Sequence, residues 1–392
     1  MRATDLLAQI ETIGREPTTN GYRRFSWTAA DAELRRWFAS QAASRALSLE
    51  VDRNGNLWAY RGEPAPGEVV AVGSHLDSVR DGGQFDGPLG IASAFAALDL
   101  MKARGVNPQR PLAVVGFVEE EGARFGVACL GSRMAAGLIE SEKAAELSDG
   151  EGVTWAEAMV GAGLDADSIG SDQPRLEQLH CFVELHIEQG RALDPAGAAV
   201  GVGTEIWPHG RWRFVFEGEA NHAGTTAMDD RHDPMPVLAE TILQVTQDAR
   251  RIGARATFGR LLVEPNGINS IPSLVTGWLD ARAPNQDLLD EVARSLHSQP
   301  GITVTVQSSS PAVHFDPALR ARVKDVLPSL PQIPTAAGHD AGIFAGAGIP
   351  TTMLFVRNRS GISHSPKEHA DPADIEAGVE ALARVITHLA GT

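Results

Sequence analysis

The chain contains four short apolar runs of the kind that buried strands require, and each hands over to acidic or imidazole side chains. Residues 69–73 lead to His75 and Asp77, and residues 111–118 lead to Glu119, Glu120 and Glu121. The run 179–187 carries His186 near its end, and 351–356 is followed, after a glycine-containing turn, by His364. Strands that are apolar throughout are covered on both faces, which points to a largely parallel sheet. An apolar helical segment at 91–104, closed by Gly105, separates the first two runs. Strand, helix, strand in succession predicts an α/β domain. In open α/β sheets ligands bind beyond the carboxyl ends of the strands, and every one of these polar groups falls there.

The first run and its loop show the chemistry best. Positions i and i+2 of a strand point the same way, so Asp77 can reach the ring of His75. A carboxylate behind a histidine fixes the tautomer of a metal ligand. The loop Gly82-Gly-Gln-Phe-Asp-Gly87 folds tightly enough to bring Asp86 back to the same spot. Singly, a histidine after a strand is a structural residue and a run of three glutamates is a solvated face. Together at four strand ends they point to one centre. Three histidines with carboxylates and no cysteine suit a catalytic site for Zn²⁺ first, with Mn²⁺, Co²⁺ or Ni²⁺ as alternatives. Five ligands exceed what one tetrahedral ion with an open position needs; they suit two ions sharing a carboxylate.

Beyond residue 210 the pattern changes. Alternating strands are expected at 211–220, 256–263, 274–283 and 302–307, with helices at 236–251 and 287–299. The order β-α-β-β-α-β is the split βαβ of a ferredoxin-like unit. The expected organisation is a catalytic domain at 1–210 and 313–392, interrupted by an inserted α+β domain at 211–312. A final helix is expected from 372 to 389.

The formal net charge of −16 argues against nucleic acid and against anionic membranes as partners. The two cysteines, Cys129 and Cys181, stand in apolar contexts and read as core fillers. The N-terminal residues lack a basic-then-apolar leader pattern, and no apolar run reaches about 18 residues. A cytoplasmic protein is expected.

Seven stretches bear a resemblance to a known family. They are Gly73-Ser-His-Leu-Asp-Ser-Val79 with Gly82-Gly-Gln-Phe-Asp-Gly87, Glu120-Glu-Gly-Ala-Arg-Phe125, Glu184-Leu-His-Ile-Glu-Gln-Gly190, Ala220-Asn-His-Ala-Gly-Thr-Thr226, Asn269-Ser-Ile-Pro272 followed by Asp280-Ala-Arg282, Ala337-Gly-His-Asp-Ala341, and Gly361-Ile-Ser-His-Ser-Pro366. In this order, across nearly the whole chain, they resemble the hydantoinase/carbamoylase-type amidases of the dinuclear zinc peptidase superfamily. That branch holds N-carbamoyl-L-amino acid hydrolases, β-ureidopropionases and allantoate amidohydrolases.

The resemblance implies that His75, Asp86 and His186 hold one divalent ion and that Asp86, Glu121 and His364 hold a second, with Asp86 bridging. It makes Glu120 the general base and Asp77 the group that orients His75. It places Gln189, His222, Asn269, Arg282 and the backbone at Gly338 against a small carboxylate substrate. His222 would stabilise an oxyanion, and Arg282 would grip the carboxylate. It further implies a homodimer in which the insert serves as lid and dimerisation domain and supplies its residues in trans. The expected reaction is hydrolysis of the carbamoyl C–N bond of N-carbamoyl-L-amino acids, with allantoate or β-ureidopropionate as the alternative and a non-catalytic binding relative as the rival. Two departures, Ala227 and Pro234, touch the loop after His222, where relatives carry proline and alanine. Asp280 and Arg282 share a strand face, so an internal ion pair also explains them. Trp207 and Trp212 fit either a pocket or packing, and His339 fits a turn better than a substrate contact.

Overall fold

The apolar runs form strands, three of them buried along their whole length and the fourth, 179–187, buried except at His180. The computed structural model describes residues 1–296 and 302–391. The chain divides into two compact units, Met1–Glu205 with His314–Thr392 and Ile206–Val313.

The first part of the first unit carries β1 (Ser48–Val51), β2 (Leu57–Arg61), β3 (Val69–His75), β4 (Leu112–Phe117), β5 (Leu179–Ile187) and β6 (Val200–Ile206). The second unit contributes β7 (His209–Glu217), β8 (Asn221–His222), β9 (Arg255–Glu264), β10 (Ser270–Ile271), β11 (Leu274–Arg282) and β12 (Ile302–Ser310). After it come β13 (Val313–His314), β14 (Gln332–Thr335) and β15 (Thr351–Val356).

The large sheet runs β1-β2-β4-β3-β5-β15-β6-β13, with β14 beside β6. Its centre is parallel: β3 pairs with β4 and β5, and β15 with β5. Its flanks are antiparallel, at β2–β4 and β15–β6. The result is a mixed α/β fold with a mostly parallel core. The strands β6, β13 and β14 were not legible in the sequence: β13 and β14 are short, and β6 is broken by glycines and a glutamate where the central strands carry longer apolar runs.

Alternate residues of a strand face opposite sides, and here both sides are covered. Val183 of β5 packs in the cluster with Phe38, Phe95 and the C-terminal helix Pro372–Ala390. Its neighbour Phe182 packs edge-on against Phe117 and against Phe344 of the helix Asp340–Gly346. The parallel register sets His75 opposite Phe117 and His186 opposite Phe355, so the strand ends share one edge.

The second unit has a four-stranded antiparallel sheet in the order β12-β7-β11-β9. The helices Pro234–Ile252 and Gln286–Leu296 lie between strands in the sequence, giving β-α-β-β-α-β. The helix expected at 287–299 is described as far as Leu296; its last three positions lie outside the described residues. Trp212, Phe214 and Phe216 of β7 form the unit's core with Leu238, Val245 and Leu279. Trp212 is therefore a core residue. Trp207 lies against the Arg255 guanidinium, 5.4 Å from its ring. Among the described residues no helix is long and apolar enough to cross a membrane.

Candidate metal centre

His75 ends β3, and the residue is 1% exposed. Its Nδ1 faces the Asp77 carbonyl at 3.1 Å, so the ring proton is held there and the Nε2 lone pair points away. His186 is arranged the same way: Nδ1 lies 2.8 Å from the Ile187 carbonyl. Both Nε2 atoms are buried without a hydrogen-bond partner. They converge on Asp86 Oδ1, at 3.7 Å from His75 and 3.1 Å from His186. The other oxygen, Oδ2, lies 3.4 Å from His364 Nε2, which in turn is 3.5 Å from Glu121 Oε2. Ligand atoms of His75, Asp86 and His186 all lie within 4.8 Å of one another, as do those of Asp86, Glu121 and His364. The two oxygens of one carboxylate thus face two separate ligand groups.

Asp86 reaches this position because Gly87 turns at φ +86°, and a Cβ there would stand 2.4 Å from the His75 ring. The glutamates reach it because Glu119 adopts φ +56°, which breaks the strand alternation after β4. The Asp77 carboxylate fixes the next two residues: Oδ1 accepts from the Glu120 N–H at 3.2 Å and Oδ2 from the Glu121 N–H at 3.0 Å. Asp77 Oδ1 is also 3.5 Å from His75 Nδ1, so one carboxylate braces three site residues. Glu120 Oε2 lies 3.7 Å from His75 Nε2. Glu119 is fully buried and accepts from the Arg124 and Phe125 N–H groups. It is a brace for the loop, not part of a solvated run.

The electrostatics call for cations. Burial pushes the Glu120 carboxyl well above its usual range, and the charges of Asp340, Glu121 and Asp77 push it further. Burial does the same to Glu121, with Asp86 adding to it. Burial also raises Asp86, but His186, His75 and His364 outweigh it and hold that carboxyl far below the ordinary value. Beneath the site lies a further acid, Glu184, which accepts from Ser74 Oγ at 2.8 Å and the Ala341 N–H at 3.0 Å. Clustered buried carboxylates around unpartnered imidazole nitrogens are costly unless a metal neutralises them. The donor set, imidazole and carboxylate without thiolate, fits divalent Zn²⁺, Mn²⁺, Co²⁺ or Ni²⁺.

The remaining expected residues take varied positions. Gln189 donates from Nε2 to Asp86 Oδ2 at 2.9 Å, so in this structure it serves the carboxylate. Gly338 is exposed, just before the helix that begins at Asp340. His339 is buried, with its ring centroid 4.5 Å from that of His186. Cys129 is more than a filler: its Sγ lies 3.5 Å from Glu120 Oε1.

His222, Asn269 and Arg282 belong to the second unit. His222 pairs with Ser270 in the two-stranded ribbon β8–β10, and the Ala223 N–H donates to the Asn269 carbonyl. The Gly224 N–H donates to His222 Nδ1 at 3.0 Å. That occupies the Nδ1 lone pair, which leaves the other ring nitrogen, Nε2, as the donor of this exposed residue. Arg282 Nε donates to Asp280 Oδ1 at 2.9 Å, so the ion pair on that strand face is formed.

Sequence reasoning passed over Glu368. It is 5% exposed and accepts on Oε2 from the Phe85 and Asp86 N–H groups, both at 2.9 Å. Burial, with the Asp86 charge beside it, pushes its carboxyl up to about 7. Its place four residues after His364 was the available signal.

Residues 71–388 match peptidase family M20/M25/M40. An N-carbamoyl-L-amino acid amidohydrolase of Geobacillus stearothermophilus is 37% identical, covering 98% of this chain and 97% of that protein. An allantoate amidohydrolase of Escherichia coli is 31% identical over 98% of this chain and 97% of that protein. The crystal structure of an amidase of the hydantoinase/carbamoylase family from Burkholderia multivorans superposes with a TM-score of 0.85 at 29% identity, covering 99% of this chain and 97% of that one. With a matched region of that extent and relatives aligned from end to end, the chain belongs to peptidase family M20/M25/M40, in its branch of hydantoinase/carbamoylase-type amidases, and is a hydrolase of amide C–N bonds.

Proposed function

We propose that the chain hydrolyses the carbamoyl C–N bond of N-carbamoyl-L-amino acids, releasing the amino acid, CO₂ and ammonia. The observation that carries the chemistry is the splitting of Asp86, one oxygen towards His75 and His186 and the other towards His364 and Glu121. The 37% identical N-carbamoyl-L-amino acid amidohydrolase supports the substrate class.

In this reading His75, Asp86 and His186 hold one divalent ion, and Asp86, Glu121 and His364 hold the other. Bound there, the ions would supply an acidified water and Lewis-acid polarisation at the carbamoyl oxygen. The chain's own residues do the rest. Glu120 accepts the proton of the attacking water and returns it to the leaving nitrogen. Asp77 keeps Glu120 in place through its amide and keeps the His75 proton on Nδ1. His222 Nε2–H donates to the developing oxyanion. Arg282, aligned by Asp280, takes the substrate carboxylate through its planar guanidinium. Asn269, Gln189 and the Gly338 backbone complete the substrate contacts. The second unit acts as a lid and dimerisation domain, with His222, Asn269 and Arg282 serving the site of a second copy. Allantoate is the second reading, supported by the end-to-end similarity to the allantoate amidohydrolase of Escherichia coli.

The test is ammonia release by metal-loaded protein from N-carbamoyl-L-amino acids, their D-forms, allantoate, β-ureidopropionate and a dipeptide, with Glu120→Gln as control. Turnover of the L-carbamoyl compounds, lost in the variant, is the expected result. Turnover of allantoate alone would replace the proposed substrate and keep the mechanism.

A further inference from the structure

A carboxylate on a glycine-rich loop has backbone and rotamer freedom to lose before it can serve two ions. In this chain that freedom is removed from a distance. Glu368 Oε2 accepts from both the Phe85 and the Asp86 N–H groups. Glu368 Oε1 lies 3.2 Å from Ser363 Oγ, and the same hydroxyl lies 3.2 Å from Asp86 Oδ2. One acid therefore holds the backbone of the loop and, through a serine, faces the side chain that the loop presents. The contact is built in: a Cβ at Gly83 would stand 2.3 Å from Glu368 Oε2 and 2.5 Å from its Cβ. Gly83 is thus the space in which Glu368 lies. The brace and His364 also belong to one short segment, residues 363–368, and His364 itself is held at φ +54°.

We propose that Glu368 is a positioning residue for the dinuclear centre. By tying the Asp86 loop to the segment that carries His364, it sets the gap between Asp86 Oδ2 and His364 Nε2, now 3.4 Å. The ion held by Asp86, Glu121 and His364 depends on it most. The other ion draws on His75 and His186, which are fixed within buried strands and by backbone carbonyls. Gly83 and Ser363 are the two accessory positions of the device, one by leaving room and the other by linking the acid to Asp86. This inference rests on the reading of Asp86 as a bridging ligand.

The experiment is a calorimetric titration of metal-free protein with Zn²⁺, backed by elemental analysis of the dialysed complex. Wild-type protein is expected to take two ions per chain; fewer would overturn the dinuclear reading itself. Glu368→Ala leaves two N–H groups, a part-buried one at Phe85 and a buried one at Asp86, without that acceptor. It is expected to weaken one of the two ions by about 10–100-fold, the usual effect of losing a group that orients a ligand, and to leave the other closer to wild type. Glu368→Gln is expected to restore both to within a few-fold. Its amide oxygen can accept the same two N–H groups, and its NH₂ can donate to Ser363, which still donates to Asp86. Two wild-type affinities in Glu368→Ala, with only a lower Tm, would overturn the proposal and leave Glu368 a fold residue. Equal loss in Glu368→Gln and Glu368→Ala would also overturn it, since charge and not position would then be its contribution. Should Glu368→Ala not fold, Ser363→Ala decides: selective weakening of one ion supports the brace, and two unchanged affinities overturn it.

Discussion

The two units hold their polar groups in opposite ways. In the first, His75 and His186 are 1% exposed and Asp86 4%, and each is tied by hydrogen bonds that leave one set of lone pairs unused. In the second, His222 and Asn269 stand exposed on or beside a two-residue ribbon, and Arg282 is ion-paired at a strand end. Burial of this kind suits a permanent charge partner, because the cost of an uncompensated buried carboxylate disappears only while the partner is present. Exposure suits a partner that arrives and leaves. On the proposed function, the first unit holds metal and the second meets substrate.

That contrast can be broken experimentally. Removing the metals with a chelator should abolish ammonia release completely, and Zn²⁺, Mn²⁺, Co²⁺ or Ni²⁺ added back should restore it; persistent turnover in metal-free protein would remove the basis of the first unit's role. Glu120→Gln should lower kcat by about 10²–10⁴-fold while elemental analysis still finds both ions. His222→Ala, in the second unit, should cost about 10²–10³-fold in kcat with metal content untouched; a loss of metal there would erase the division of labour. Arg282→Ala should act mainly through KM, lowering kcat/KM roughly 10–100-fold, as expected for a charge-assisted contact. Arg282→Lys should recover only part of this, because an ammonium lacks the bidentate fork.

The smallest effect concerns pH. Burial raises the Asp280 carboxyl, but the Arg282 and Arg211 guanidiniums outweigh it and leave it below the ordinary value. A carboxyl lowered in the folded state adds stability above its unfolded pKa of about 3.9. That stability is lost as pH falls through the folded value. Asp280→Asn should therefore lower Tm at neutral pH, and the gap to wild type should close below about pH 4. A gap that stays constant on acidification would show that packing, not charge, sets it.

The parts legible in the sequence were those encoded locally. His75, Asp77 and Asp86 lie within one strand and loop, Glu120 and His364 follow apolar runs and His186 lies near the end of one, so strand-end logic groups them as candidates. Trp212 could not be assigned to core or pocket, since a half-exposed strand alternates the same way in either case. Strands β13 and β14 are short, and β6, though seven residues long, carries two glycines and a glutamate; all three take their form from neighbours far along the chain. Glu368 was hidden for the same reason. Within Ser-Pro-Lys-Glu-His it looks like one more surface charge, and contacts with residues 83, 85 and 86, far along the chain, give it its place. The second task of Asp77, holding the Glu120 and Glu121 amides, likewise depends on a contact between strands.

The bond from Asp86 to Glu368 spans 282 residues, and this bears on the order in which the protein comes into being. A nascent chain acquires His75, Asp86 and His186 early, but synthesis must reach Glu368 before the Asp86 loop meets its brace. The intervening unit eases that wait. It leaves and rejoins the sheet at adjacent points, where the Phe315 N–H donates to the Thr204 carbonyl at 3.1 Å and His314 lies 2.8 Å from Glu205. Once folded, it shortens the loop that the last segment has to close, and loop length governs folding speed more than final stability. Activity on this reading waits on a late contact, and a chain ending before Ser363 should fold much of its sheet yet hold at most one ion.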